Sequence, residues 1–189
     1  MKRFSLLVTA IIISFASFAQ WKVDPYHSQL GFTVTHLGIA DVPGHFGKFD
    51  VIINAEKEDF SDAVVEMTAE ISSIDTRVTP RDNHLKSADF FDAEKFPSMQ
   101  FKSTSIKKTG KDKYELQGNL TLRGVTKPVT VEMIHRGTIE KPNSKGAKVA
   151  GIQITGKIKR SDFGVGENFK APMISDEVWI KADGEFGKK

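Results

Sequence analysis

Residues 28–36, which read SQLGFTVTH, carry the clearest structural signal in the chain. Leu30, Phe32 and Val34 lie two residues apart, and the residues between and around them are mostly polar or small. Side chains alternate between the two faces of a β-strand, so a period of two indicates a strand with one buried and one solvated face. The segment therefore predicts a strand that covers an apolar interior.

The same alternation recurs along most of the chain. It appears in seven further segments, at residues 46–53, 65–71, 99–106, 114–122, 128–135, 149–158 and 178–186. Turn residues such as Gly110, Gly124 and the 142–146 stretch PNSKG separate them. Eight or more strands without helix–strand alternation predict an all-β fold, either an antiparallel barrel or a sandwich. No linker divides residues 20–189, which we expect to form one domain.

Residues 81–92, which read RDNHLKSADFFD, break this pattern. The segment is rich in charge, and Leu85, Ala88 and Phe91 follow one another at intervals of three. This spacing predicts a short amphipathic helix that flanks or caps the sheet. Two interpretations remain open: a surface helix with Leu85 and Phe91 packed on the sheet, or a lid in which Phe90 or Phe91 closes a cavity.

The aromatic composition bears on what the interior contains. The chain has 14 phenylalanines but only two tyrosines and two tryptophans. A cavity for an apolar ligand needs large apolar walls with few polar groups, which phenylalanine supplies. A solid core rich in phenylalanine fits the same composition, and composition alone slightly favours it.

The first 19 residues have the organisation of a secretory signal peptide. Lys2 and Arg3 precede a largely apolar run at residues 4–18, and the small residues Ser17 and Ala19 stand three and one before a predicted cut. A helix needs about 20 apolar residues to span a bilayer, and this apolar run is shorter. We therefore expect cleavage after Ala19, a periplasmic or secreted protein, and no membrane span in the mature chain.

Charge and composition argue against several classes of protein. Removal of the signal peptide leaves 25 basic against 24 acidic residues, a net charge of about +1, so nucleic acid is not an expected partner. The chain contains no cysteine. This excludes a disulfide framework, cysteine-bound zinc, iron–sulfur clusters and a thiol nucleophile.

The histidines are the remaining candidates for chemistry. His27, His36 and His45 recur at intervals of nine, but an odd offset on a strand places side chains on opposite faces. Turns are expected at Pro25 and Pro43, and these could realign the three histidines. Neither a metalloprotease-type histidine motif nor a Gly-x-Ser-x-Gly motif occurs. We therefore expect neither a metal ligand nor a catalytic residue. A metal-binding or enzymatic barrel built on His27, His36 or His84 is the alternative.

Several motifs, in order along the chain, together resemble one protein family. They are Trp21-x-x-Asp24-x-x-His27-Ser28, Arg81-Asp82-x-His84-Leu85, Asp89-Phe90-Phe91-Asp92, Gly118-x-Leu120-Thr121-Leu122-Arg123-Gly124 and Arg160-x-x-Phe163-Gly164. The chain is similar to the YceI-like family, whose secreted bacterial members are lipocalin-like polyisoprenoid-binding proteins. The resemblance covers essentially all of the mature chain.

The resemblance implies an extended antiparallel lipocalin-like barrel around an apolar tunnel. The implied ligand is a polyisoprenoid, an isoprenoid quinone or another long amphiphile such as a fatty acid or amide, held without covalent attachment and without a further cofactor. It also implies a non-enzymatic role in transport, storage or stress protection in the cell envelope, and a possible homodimer. The implied tunnel residues are Phe32, Val34, Phe46, Leu85, Phe90, Phe91, Phe101 and Leu120, with His36, Arg81 and Arg160 as polar contacts for a headgroup.

Overall fold

The computed structural model describes residues 19–188. The predicted signal peptide, apart from Ala19, lies outside these residues. The strands are Gln20–Val23 (β1), Gln29–His36 (β2), Ala40–Phe46 (β3), Phe49–Asn54 (β4), Val64–Glu70 (β5), Ile74–Asp75 (β6), Ser98–Gly110 (β7), Lys113–Leu122 (β8), Val125–Glu140 (β9), Lys148–Lys159 (β10) and Glu177–Lys188 (β11). Within the described residues, one α-helix, Thr79–Lys86 (α1), and short 3₁₀ turns at Pro25–His27, Ile71–Ser73 and Arg160–Phe163 complete the fold.

The eleven strands form a closed antiparallel barrel whose wall is eight strands around, because some short strands lie end to end and share one position in the wall. Five of the eight positions are occupied by β7 to β11, which pair in sequence order. Each of the other three holds two short strands end to end: β1 with β2, β3 with β4, and β5 with β6. The barrel closes because both β1 and β2 pair with β11. The predicted all-β lipocalin-like barrel with one short helix is confirmed.

Two prolines lie inside strands, and one of them was predicted to mark a turn. That prediction is wrong for Pro43, which faces Thr33 in the β2–β3 ladder. On the other edge of β3, strand β6 pairs only with the last two residues of β3, so Pro43 has no neighbour on that edge in the part of the chain that the structure describes. Pro128 likewise faces Asn119 of β8, and the pairing of β9 with β10 begins only at Val131. A residue without an N–H is tolerated in a strand where one edge has no neighbour.

The helix differs from the predicted one in length and in character. It ends at Lys86 rather than at residue 92, and its only buried residue is Asp82. The Asp82 carboxylate accepts hydrogen bonds from the backbone N–H of Thr76, at 2.9 Å, and from the Thr76 hydroxyl. The helix is therefore attached through this buried polar contact as well as through Leu85, which is partly buried and packs against the core, as predicted. After it the chain turns, with the N–H of Phe91 donating to Leu85.

The barrel interior has a packed half and a hollow half. In the packed half the ring centroids of Trp21 and Phe60 are 5.0 Å apart, and the ring centroids of Phe60 and His135 are 4.8 Å apart. Tyr114 and Met133, partners across β8 and β9, are completely buried beside them. Among residues 19–188, no helix has the length and hydropathy required to span a membrane.

Candidate functional site

The hollow half of the barrel contains a cavity of about 460 Å³. This volume falls within the range of about 300–1,000 Å³ that is typical of ligand pockets. Its walls are almost entirely apolar side chains from β2, β3 and β7 to β11. The rest of the lining comes from Thr76, the helix α1, residues 90–91 and the segment at residues 160–174. The site is therefore a largely apolar chamber enclosed by the barrel wall, the helix and one long connection.

All eleven residues that the sequence implicated line this cavity. They are Phe32, Val34, His36, Phe46, Arg81, Leu85, Phe90, Phe91, Phe101, Leu120 and Arg160. That they contact a ligand stays a prediction. Sequence reasoning missed further apolar lining residues, namely Leu30, Val42, Met99, Leu122, Val129, Val131, Ile154, Ile158, Val165, Phe169, Met173, Ile174, Val178 and Ile180. Alternation identifies the inward face of a strand but does not show which inward positions border empty space.

Glycines on neighbouring strands keep the cavity open. Phe32 faces Gly44 across the β2–β3 ladder, and a Cβ atom on Gly44 would lie 2.3 Å from the Phe32 ring. A Cβ on Gly118 would lie 2.4 Å from the ring of Phe101. Each ring thus lies over a strand position that has no side chain. The rings cover the wall instead of projecting into the lumen.

We expect Gly44→Ala to shrink the cavity. The new methyl group cannot coexist with the Phe32 ring, so the ring must move off the wall, at a cost of about 1–3 kcal/mol of overpacking. Uptake of an apolar ligand should weaken about tenfold, or about 1.4 kcal/mol. Gly187→Ala is the matched control, because a Cβ there meets nothing within 4 Å. Equal probe affinity in the two variants would show that Phe32 does not limit the lumen.

Arg160 is buried, and its guanidinium is fully engaged with backbone carbonyls. The five acceptors are Ser175 (3.0 Å), Val165 (2.8 Å), Gly166 (2.6 Å), Ile174 (3.1 Å) and Phe169. A guanidinium has five N–H donors, so all are used. Burial lowers the pKa of Arg160, and the nearby charge of Asp176 partly offsets this. Arg160 therefore holds the segment at residues 165–175 in place, and a contact to a headgroup would break one of these bonds.

Arg81 lines the same cavity, and only part of its guanidinium is hydrogen-bonded. Its Nε donates to the hydroxyl of Thr76 at 2.7 Å, and its Nη2 donates to the Thr76 carbonyl at 2.8 Å. Within residues 19–188, Nη1 makes no hydrogen bond and the guanidinium makes no ion pair. Thr76 in turn donates to Asp82, which orients the whole group. Of the two arginines, Arg81 is the one equipped to contact an acceptor inside the cavity.

The cavity opens where its lining residues reach solvent. Among the lining residues, His36, His84 and Met173 are exposed. The His84 ring lies edge-on to Phe90 at 5.0 Å and to Phe169 at 5.3 Å. Phe90 and Phe169 stack at 4.8 Å. The opening is therefore bordered by two imidazoles and one methionine, beside a stacked pair of phenylalanines.

A separate group of potential metal ligands lies away from the cavity lining. One ligand atom from each of Asp24, His27 and Glu185 lies within 4.8 Å of the others. The Nδ1 atom of His27 lies 3.0 Å from Asp24 Oδ2 and 4.0 Å from Glu185 Oε2. Sequence reasoning missed this group because β11 brings Glu185 to His27 from the far end of the chain. His36 and His45 belong to no such group among residues 19–188.

We expect His27 to titrate above its ordinary pKa of 6.5, because Asp24 accepts a hydrogen bond from the imidazolium and both carboxylates attract its charge. The same contact lowers the pKa of Asp24. Since the folded pKa of His27 is raised, this contribution to stability is complete below the unfolded pKa and disappears as the pH rises through the folded value. An NMR titration checks it. In Asp24→Asn the His27 pKa should fall, and an unchanged value would contradict the assignment.

The sequence and the fold of this chain are similar to those of several known proteins. Residues 21–186 match the family described as the YceI-like domain. Protein YceI of Salmonella arizonae is 38% identical over 168 residues, which cover 88% of this chain and 86% of that protein. BcnA of Burkholderia cenocepacia has a TM-score of 0.75 at 25% identity over 86% of this chain and 98% of the other. A polyisoprenoid binding domain from Saccharophagus degradans has the same fold, with a TM-score of 0.68 at 13% identity over 92% of this chain and all of the other.

Proposed function

This chain belongs to the YceI-like family, and we propose that it binds a long-chain apolar molecule, a polyisoprenoid or isoprenoid quinone, in the barrel cavity. The observation that carries the proposal is the cavity itself, with its almost entirely apolar lining. The Saccharophagus degradans neighbour is described as a polyisoprenoid binding domain, which supports this class of ligand. A fatty acid or amide is the other long amphiphile that such a cavity suits.

The energetics of burial favour such a ligand. Moving one five-carbon isoprene unit out of water contributes about 3–4 kcal/mol, at about 0.8 kcal/mol per carbon group. Several units would exceed the practical limit of affinity near about −18 to −21 kcal/mol, so ordering and incomplete burial must offset part of the gain. Affinity then depends on tail length, and selectivity depends on the few polar groups. This is the behaviour of a carrier that tolerates different tails.

A titration with a fluorescent apolar probe tests the proposal. The protein, freed of lipid, should bind one probe per cavity, and a polyprenol or a quinone with an isoprenoid tail should displace it. Absence of probe uptake by folded protein would overturn the proposal and would favour a solid or collapsed interior.

Arg81 is proposed to contact the head of the ligand. Arg81→Met should lower the affinity for ligands that carry a carboxylate, phosphate or quinone oxygen about tenfold. This corresponds to about 1.4 kcal/mol for the loss of one hydrogen bond from a charged donor. A hydrocarbon of the same length without a polar head should bind both proteins equally. Arg136→Met, which removes an exposed arginine that pairs with Asp183, is the control. Equal losses for ligands with and without a head would contradict the role of Arg81.

We further propose a non-enzymatic role in the cell envelope. With residues 1–19 removed as a signal peptide, the mature domain would act in the periplasm or outside the cell, carrying or storing its ligand or protecting the envelope under stress. A homodimer is part of the same proposal. Nucleic acid is not part of the proposal, since the mature chain would have a net charge of only about +1.

A metal-binding role is the second candidate, favoured by the group Asp24, His27 and Glu185. Imidazole and carboxylate are ligands that zinc accepts. Stoichiometric metal in protein purified without added ions, lost in His27→Ala and retained in His45→Ala, would support it. His45 is a suitable control because it lies 4.0 Å from a single carboxylate, that of Asp75.

A further inference from the structure

Three exposed apolar side chains lie beside the cavity opening. Leu37 and Ile39, in the β2–β3 turn, are 53% and 86% exposed, and Met173 is 48% exposed. Met173 also lines the cavity. We call Leu37, Ile39 and Met173 the mouth rim. Isolated exposed apolar residues are ordinary, but a group placed at the opening of an apolar cavity marks an interaction surface.

Backbone contacts join the two parts of the mouth rim. The N–H of Leu37 donates to the carbonyl of Met173 at 3.1 Å, and the N–H of Ser175 donates to Thr35 at 2.9 Å. His36 and Ile174, both of which line the cavity, form a β-bridge between these contacts. The turn and the connection therefore form one continuous border. Its outer side carries the apolar residues, and its inner side faces the lumen.

We propose that the mouth rim docks on the surface of a lipid bilayer, so that ligand passes between bilayer and cavity without crossing water. This rests on the proposed function, because only a ligand that is insoluble in water needs such a path. The two rim segments, residues 37–40 and 170–175, contain one charged side chain, the exposed Lys170. The acidic residues that follow them, Asp41 and Asp176, accept hydrogen bonds from the hydroxyls of Thr35 and Ser161. A lysine beside apolar side chains suits a surface with anionic headgroups. A second copy of the chain docked here would instead cover the opening.

The exposed residues of the mouth rim allow a test that leaves the cavity intact. The variant carries Leu37→Asn and Ile39→Ser; asparagine is chosen because Leu37 has a positive φ of 53°, which asparagine tolerates. Neither residue lines the cavity. The matched control is Ile139→Ser, which removes a 63% exposed isoleucine from β9 next to the packed half. The readout is transfer of a fluorescent apolar probe to vesicles of phosphatidylcholine with one quarter phosphatidylglycerol.

Docking predicts that the rate of probe transfer from the unmodified protein rises with vesicle concentration. In the rim variant the rate should fall about fivefold or more, since the lost apolar contact is the anchor. Equilibrium affinity for the probe should be unchanged, and the control should transfer at the original rate. A rate that is independent of vesicle concentration, or equal in the variant and the unmodified protein, would overturn the proposal.

Two further results would separate a failure of the docking proposal from a failure of the proposed function. If the rim variant turns a dimer into a monomer in sedimentation measurements, the rim is an interface between copies and bilayer docking is overturned. If the unmodified protein binds no probe before vesicles are added, the proposed function itself fails, and the docking proposal fails with it.

Discussion

Replacing Leu120 by aspartate is expected to abolish retention of a long apolar ligand in a barrel that still folds. Leu120 lines the cavity from β8, directly across from Phe101 on β7. An ionised carboxylate cannot be buried against an apolar tail without a large desolvation cost, so water must remain around it. We expect affinity to fall at least about 100-fold, equivalent to about 2.8 kcal/mol. Organic extraction of the purified variant, alongside circular dichroism, measures both parts of the prediction.

Leu116 provides the matched comparison for Leu120. It lies four residues earlier on the same strand, at an inward position, but it is fully buried in the packed half and does not line the cavity. Leu116→Asp should therefore prevent folding, because no space admits water to the carboxylate. Phe101→Asp is a second cavity variant, expected to behave like Leu120→Asp. Full lipid retention in folded Leu120→Asp and Phe101→Asp would show that neither residue belongs to the binding site.

Replacing Arg160 by methionine is expected to destabilise the protein strongly and to release the segment at residues 165–175. Five backbone carbonyls would lose their donor at once. Unsatisfied buried acceptors cost about 1–3 kcal/mol each, and partial relaxation toward water leaves a net loss of about 3 kcal/mol. For a domain of this size that lowers Tm by about 6–12 °C. Thermal unfolding and hydrogen exchange of the segment are the measurements.

Arg160→Lys separates charge from geometry in this prediction. Lysine keeps the positive charge but has three donors on one nitrogen, whereas the guanidinium spreads five donors over a plane. The lysine variant should therefore lose nearly as much stability as the methionine variant. Lys159→Met, at the exposed neighbouring position, should not change Tm. A methionine variant with unchanged Tm would contradict the anchoring role of Arg160.

Much of the barrel follows from local sequence because alternation reports directly on which strand face is buried. The exceptions have physical causes. Pro43 suggests a turn, yet it is accommodated where β3 has one neighbour. The charged segment after residue 80 suggests an amphipathic helix, but Asp82 attaches the helix through hydrogen bonds that no hydrophobic pattern reveals. Pairing between distant strands, as at Glu185, is likewise not visible from spacing.

The positions of the candidate site residues could be predicted from family motifs, but their separate roles could not. Arg81 and Arg160 have the same chemistry in the sequence, and both line the cavity. They differ because the connection at residues 165–175 folds around Arg160 and supplies all five acceptors, whereas Thr76 engages only part of Arg81. Within the hollow half, Gly44 and Gly118 leave room for the rings of Phe32 and Phe101 to lie against the wall.

Mass spectrometry of an organic extract, from protein purified out of its own envelope fraction without detergent, tests the central claim most directly. The account predicts a long-chain isoprenoid at a near-equal molar amount with the protein, absent from the Leu120→Asp variant prepared in parallel. A clean extract from folded, unmodified protein would contradict it, since an apolar chamber exposed to membrane lipids should not remain empty.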